Sequence, residues 1–373
     1  MKYYLIAGEK SGDLHGANLI RALKKRDASA SFRGFGGEEM QQAGAALTKH
    51  YKEMAFMGFT AVLLNLKKIR KYLKECQKDI LDYQPDVVIL IDYAGFNLRI
   101  AEFAKKQGFK TFYYISPKVW AWNTKRAWKI KRIVDRMFCI MPFEKDFYKK
   151  YDYEVDYIGN PIFDAIQNFQ PNPDFLEKNQ IDNKPIIAIL AGSRRNEIKY
   201  LLPYMVSMAK YFPDYQFIVA GVSHLDKALY QIAYQAGLKV IFDQTYDLLS
   251  VAEAALVTSG TATLETALFN VPQVVCYKGD FFSMLIAWMV VKVKYISLVN
   301  LSAGREIVKE LVQYDITEST LRHELTKILG ENRQQILRDY QKLRQKIQTE
   351  ASASEVAAKL MWQYLNEGVI KRV

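Results

Sequence analysis

A chain of 373 residues is too long for one ordinary core and fits two domains. Half of its residues are hydrophobic and a quarter are charged, which excludes a disordered chain. A formal net charge of +12 points to anionic partners: nucleic acid, phosphorylated metabolites or an anionic membrane surface. Cys76, Cys139 and Cys276 are widely spaced and form no CxxC, which argues against a disulfide framework and a zinc site.

In chain order, residues 3–7 are a short apolar run ending at Gly8, read as a buried strand and not as a signal peptide. A helical pattern follows over 13–25. Met54, Phe56, Met57 and Phe59 lead into Val62, Leu66, Ile69 and Leu73 at helical spacing, among Lys67, Lys68, Arg70, Lys71 and Lys74. Such a basic amphipathic segment suits an anionic membrane surface, with core or dimer interface as the plain alternative. Continuous apolar runs at 87–91, 111–115 and 136–141 predict strands buried on both faces, as in a parallel sheet. Between the last two, Trp120 and Trp122 alternate with Lys118, Lys125 and Arg126. That pattern suits a phosphorylated lipid at an interface or a nucleic acid, or a solvated basic helix with its tryptophans turned inward.

Pro171, Pro173 and Pro185 mark 169–185 as a linker between an N-terminal domain, 1–168, and a second domain, 186–345. Strand signals restart at 186–190, 216–220, 239–242, 255–258 and 273–277. The run 281–291, with Phe281, Phe282 and Trp288, is shorter than the roughly 20 residues a bilayer span needs, so a cytosolic chain touching lipid is expected. The tail is charged and helical, and 346–373 is expected to return to the N-terminal domain or to a partner in a homodimer. The alternation predicts an α/β protein of two doubly wound domains facing across a cleft.

Ligands in such sheets lie beyond the carboxyl ends of the strands, and the polar motifs sit there. Gly8-Glu9-Lys10-Ser11-Gly12-Asp13 follows the first strand; it offers a helix N-terminus, or is a plain turn capped by Ser11 or Asp13. Asp92 ends an apolar strand, where a carboxylate can serve as a general base or cap the next helix. Gly192-Ser193-Arg194 gives close backbone approach and a guanidinium able to grip a diphosphate, or is a turn with solvated arginines. Ser259-Gly260-Thr261 makes a second anion cradle with Glu265 one turn on, or is plain helix capping by Ser259 or Thr261. Asn300 and Glu306 flank an apolar loop that, without context, reads as a loop and a helix cap.

Taken together, GEKSGDLHGANLIRALK, FMGFTAVL, PDVVILIDYAGFN, SPKVWAWNTKRAWKIKR, PFEKDFY, GNP, LAGSRRNEI, SGTATLETAL and NLSAGREIVKELVQ resemble the lipid-A-disaccharide synthase family in wording and order, over about residues 3–313. The resemblance implies two Rossmann-like domains of the glycosyltransferase B type. It implies inverting transfer from UDP-2,3-diacylglucosamine to 2,3-diacylglucosamine 1-phosphate, on the cytoplasmic side of the inner membrane of Gram-negative bacteria, with no metal, no cofactor and no nucleic acid. By position it makes Asp92 the base. It places Glu9, Ser11 and Asn97 at the acceptor, and Gly192, Ser193, Arg194, Ser259, Gly260, Thr261, Glu265, Asn300 and Glu306 at UDP. Many relatives carry a second Asp where this chain has Gly95, which leaves Asp92 without a rival in that segment. The enzyme alternative is another glycosyltransferase B protein, either a transferase with a soluble acceptor or a UDP-GlcNAc 2-epimerase. A nucleic-acid-binding module fits poorly with two strand-ending phosphate cradles.

Overall fold

The computed structural model describes residues 1–54, 66–279 and 294–366. The chain forms two compact units, Met1–Pro161 with the C-terminal segment from Thr349, and Ile162–Gln348. Each is an α/β unit around a parallel sheet, as the buried apolar runs predict.

Among the described residues the first sheet has seven strands in the order β3-β2-β1-β4-β5-β6-β7. They are β1 (Lys2–Ala7), β2 (Ser31–Gly36), β3 (Ala45–His50), β4 (Val87–Ile91), β5 (Lys110–Tyr114), β6 (Arg136–Cys139) and β7 (Asp156–Tyr157). Side chains alternate across the pleat. Tyr4, Ile6, Val88 and Leu90 pack under helices Leu66–Tyr83, Ala94–Lys106 and Arg126–Ile133. Tyr3, Leu5, Val87 and Ile89 pack on the other face, under helices Lys10–Lys24 and Ala353–Asn366. That last helix is tied to the first unit by Ala357, Ala358 and Met361 in the core, by a Lys25–Glu355 ion pair at 2.8 Å and by a Tyr364 hydroxyl donating to Asp156 at 3.0 Å.

The second sheet runs β10-β9-β8-β11-β12-β13 among the described residues. Its strands are β8 (Ile186–Leu190), β9 (Gln216–Gly221), β10 (Lys239–Phe242), β11 (Ala252–Thr258), β12 (Gln273–Tyr277) and β13 (Lys309–Val312). The chain enters this unit at Ile162, ahead of the prolines. Residues 169–185 are part of it: Phe175 is buried in its core, and the Asn172 N–H donates to Asp247 at 2.7 Å. Among the described residues, no helix is long and apolar enough to cross a membrane.

Candidate active site

Strand order reverses between β1 and β4 in the first unit and between β8 and β11 in the second. The crevice beyond the carboxyl ends of such a strand pair is where doubly wound sheets bind ligands. The loops after those four strands carry Glu9, Asp92, Arg194 and Ser259.

In the first unit Glu9 is the N-cap residue of helix Lys10–Lys24, and the Ser11 hydroxyl donates to its carboxylate at 3.1 Å. Asp13 does not cap this helix. It is 1 % exposed and accepts the N–H groups of Gly37, Glu39 and Met40, fixing a neighbouring helix start. Across the crevice, Asp92 and Tyr93 take φ values of +43° and +46° in succession. Left-handed conformation costs roughly 1–2 kcal/mol per non-glycine residue, with Asp better tolerated than Tyr. The Tyr93 ring lies against Gly8, where a Cβ would fall 2.2 Å from the ring, and this close approach requires the glycine. Burial, and then the negative charge of Glu9, raise the Asp92 carboxyl above its ordinary value, against Lys118 and the Tyr93 N–H. Glu9, Lys118 and Asp92 thus share one electrostatic environment.

Asn97, expected at the acceptor, lies beneath the site and not in it. It is fully buried, and its amide donates to the carbonyls of Ile6, Ile91 and Asp92 at 3.4, 3.1 and 2.9 Å. A buried amide NH2 must find partners, and here the main chain supplies them, while the Asn97 Oδ1 is buried without a hydrogen-bond partner among the described residues.

In the second unit Gly192 takes φ +115°, and a Cβ there would meet the Glu197 carboxylate at 2.5 Å. That carboxylate folds back under the loop and accepts the N–H groups of Ser193 and Arg194 at 3.1 and 3.2 Å. The Arg194 guanidinium pairs with it at 3.0 Å, although the Arg194 side chain is 82 % exposed. The loop is therefore a set of convergent anion donors held together by an internal carboxylate. After β11, the Ser259 hydroxyl donates to the Ile296 carbonyl at 2.8 Å, and exposed Gly260 and Thr261 open helix Thr261–Leu268. Glu265 accepts the Tyr246 hydroxyl at 2.9 Å, and burial raises its carboxyl.

Asn300 is another polar residue that turns out to be scaffold. It is fully buried, donates to Val308 O and Glu310, and accepts the N–H groups of Ile307 and Val308. Its hydrogen-bonding capacity goes to folding the loop, so the structure gives it no free group for UDP. Glu306 is exposed and pairs with Lys309 at 3.3 Å.

The residues expected at lipid divide. Met54 is 1 % exposed, in the core, and its carbonyl accepts the Tyr93 hydroxyl at 3.0 Å. Trp120 is 8 % exposed; its indole N–H donates to buried Glu144 at 3.1 Å, and its ring meets Phe143 edge-on. Both are corrected to core positions, because an apolar residue beside a basic run has a buried side available to it. Lys67 and Lys68 are exposed, on the side of their helix away from Cys76 and Ile80. Phe56, Met57, Phe59, Val62, Phe281, Phe282 and Trp288 lie outside the described residues, as do the side chains of Leu66 and Trp122. The sequence reading missed Glu197, Glu310, Glu144 and Tyr113. Of these only Glu197 left a signal, at capping-box spacing within Gly192-Ser193-Arg194-Arg195-Asn196-Glu197. Among the described residues, no three His, Cys, Asp or Glu side chains cluster as metal ligands would.

A family model described as lipid-A-disaccharide synthetase matches residues 3–361 of this chain. The chain belongs to the lipid-A-disaccharide synthase family. It is 38 % identical over 364 residues to the lipid-A-disaccharide synthase of Syntrophus aciditrophicus, covering 95 % of each chain. In fold it is similar to S. aureus MnaA in a co-structure with UDP, with a TM-score of 0.67, 13 % identity and coverage of 98 % and 97 %. It is also similar to the kitacinnamycin glycotransferase, with a TM-score of 0.66, 13 % identity and coverage of 98 % and 99 %. Lipid-A-disaccharide synthases are glycosyltransferases, and the family implies a UDP-sugar donor and a phosphorylated acceptor.

Proposed function

We propose that this chain transfers 2,3-diacylglucosamine from UDP to the 6-hydroxyl of 2,3-diacylglucosamine 1-phosphate, with inversion, giving a β-1′,6-linked disaccharide 1-phosphate and UDP. The observation that carries this is the Asp92 carboxylate, held at the reversal point of the first sheet with a raised proton affinity. A base in that state takes the proton of the acceptor hydroxyl as its oxygen attacks C1 of the donor from the face opposite UDP. Glu9 and Ser11 lie on the same crevice and hold acceptor hydroxyls. In the second unit Arg194 and the N–H groups of Ser193 and Arg194 receive the diphosphate and offset the charge that grows on the leaving UDP. Gly260 and Thr261 open a second helix N-terminus toward the nucleotide, with Ser259 and Glu265 beside it.

Both substrates are diacylated, so the reaction takes place at the cytoplasmic surface of the inner membrane. The basic outer side of helix Leu66–Tyr83, with exposed Lys67, Lys68, Arg70, Lys71 and Lys74, suits anionic headgroups. Reversing Lys67, Lys68 and Lys71 to Glu is expected to weaken partitioning onto anionic vesicles by at least about tenfold; unchanged partitioning contradicts the membrane reading.

The test of the reaction is incubation with UDP-2,3-diacylglucosamine and 2,3-diacylglucosamine 1-phosphate, with mass and linkage analysis of the product. A β-1′,6 disaccharide 1-phosphate formed mole for mole with UDP is expected. Conversion of a UDP-sugar without an acceptor, or transfer only to soluble acceptors, overturns the proposal.

A further inference from the structure

Asp92 stands on two consecutive left-handed residues, and neither is a glycine. Such a turn persists only where its surroundings over-determine it. The main chain holds one end: the Asp92 N–H donates to the Tyr114 carbonyl at 3.2 Å, and the Tyr93 carbonyl accepts the N–H groups of Phe96 and Asn97. The Asp92 carbonyl is turned out of the strand ladder and bonded to side chains instead. Tyr113, on β5, donates its hydroxyl to it at 2.5 Å, and the Asn97 amide donates to it at 2.9 Å. Both side chains are fully buried. The same Asn97 amide reaches the carbonyls of Ile6 on β1 and Ile91 on β4, so it ties the turn to both strands of the reversal point.

We propose that Tyr113 and Asn97 are positioning residues for Asp92, clamping its carbonyl so that its carboxylate is held where the acceptor hydroxyl is deprotonated. This rests on the reading of Asp92 as the base. The peptide plane following Cα of Asp92 cannot rotate without breaking both side-chain bonds, and the carboxylate is carried on that Cα. With the clamp loosened, the turn relaxes toward ordinary backbone and the carboxylate drifts from its attack geometry. Misplacement of this kind slows the chemical step without touching the nucleotide.

The test compares Tyr113→Phe with Tyr153→Phe. Tyr153 is also a buried tyrosine of the first unit, and its hydroxyl donates to a main-chain carbonyl, that of Val134, at 3.1 Å. Both variants delete one buried hydroxyl bond of the same type, so both should lower Tm alike. Only Tyr113→Phe is expected to lower kcat, by roughly 3- to 10-fold, with the donor KM unchanged. It should also move the acidic limb of the kcat–pH profile to lower pH, because a released carboxylate gains water. Asn97→Ser, which removes the amide, should show the same split if Tyr113→Phe does not fold. Equal kcat and pH profile for the Tyr113→Phe and Tyr153→Phe proteins overturns the clamp, as does a loss spread equally over kcat and donor KM. Asp92→Asn run in the same series separates the two claims. Near-parental turnover there removes the base itself, whereas a slow Asp92→Asn beside a parental Tyr113→Phe removes only the clamp.

Discussion

The loop after β4 and the loop after β8 solve opposite problems. Around Asp92 the backbone is strained, the carbonyl is bonded twice from below, and the carboxylate is mostly withdrawn from water. Around Arg194 the side chain is 82 % exposed, one guanidinium nitrogen pairs with Glu197, and the main-chain N–H groups of Ser193 and Arg194 are bonded to the same carboxylate. An ion pair this exposed is worth less than about 1 kcal/mol, so it yields readily to a ligand. A base needs fixed geometry and a tuned proton affinity before substrate arrives. An anion grip needs donors that stay ordered when empty and can be surrendered when a diphosphate displaces the internal carboxylate. On the proposed assignment, rigidity is placed where chemistry happens, and exchangeable charge is placed where the leaving group is held.

The comparison breaks first at the chemical step. Asp92→Asn should lower kcat by roughly 10²–10⁴-fold; near-parental turnover means the buried carboxylate is not the base. Next, Arg194→Ala should weaken UDP binding by roughly 10–100-fold, the scale of a lost charged hydrogen bond. A UDP affinity unchanged by calorimetry would leave the second loop without its assigned role. The third effect concerns stability. The Asp92 carboxyl titrates above its ordinary value in the fold, so its contribution is fully present below the unfolded pKa and is lost as pH rises through the folded one. Asp92→Asn should therefore melt higher than the parent near neutral pH, by about 2–4 °C per kcal/mol relieved, with the gap closing in acid. A variant that melts lower at neutral pH would show that the charged form is stabilised in place. Smallest is Glu197→Gln, which removes the charge competing for Arg194 and should tighten UDP binding by about threefold. Weaker binding would instead make Glu197 an organiser that the loop cannot lose.

Central strands and the motifs after them were legible because strands buried on both faces show unbroken apolar runs, and doubly wound sheets bind beyond strand ends. Edge strand β10 was read as well, but interior β2, interrupted by Arg33 and Gly34, and the edge strands β3, β7 and β13 were not. β3 carries Thr48, Lys49 and His50 half in water, and β13 begins at exposed Lys309, so neither presents an apolar run. Within the motifs, sequence shows which residues are polar but not which are buried. Sequence places Asn97 and Asn300 at ligands, yet the Asn97 NH2 group and the whole Asn300 amide are bonded within the scaffold. Trp120 was misplaced for the mirror reason: its partner Glu144 lies 24 positions away, in a segment whose role only the fold reveals. The left-handed turn at Asp92 is equally hidden, since no glycine marks it.

The division of labour between the two loops is tested most directly by titrating UDP into the Asp92→Asn protein beside the parent and Arg194→Ala. A dissociation constant equal to the parent's is the expected result, because the role proposed for the carboxylate lies in the chemistry and not in holding the nucleotide. A constant weakened as far as that of Arg194→Ala contradicts the division.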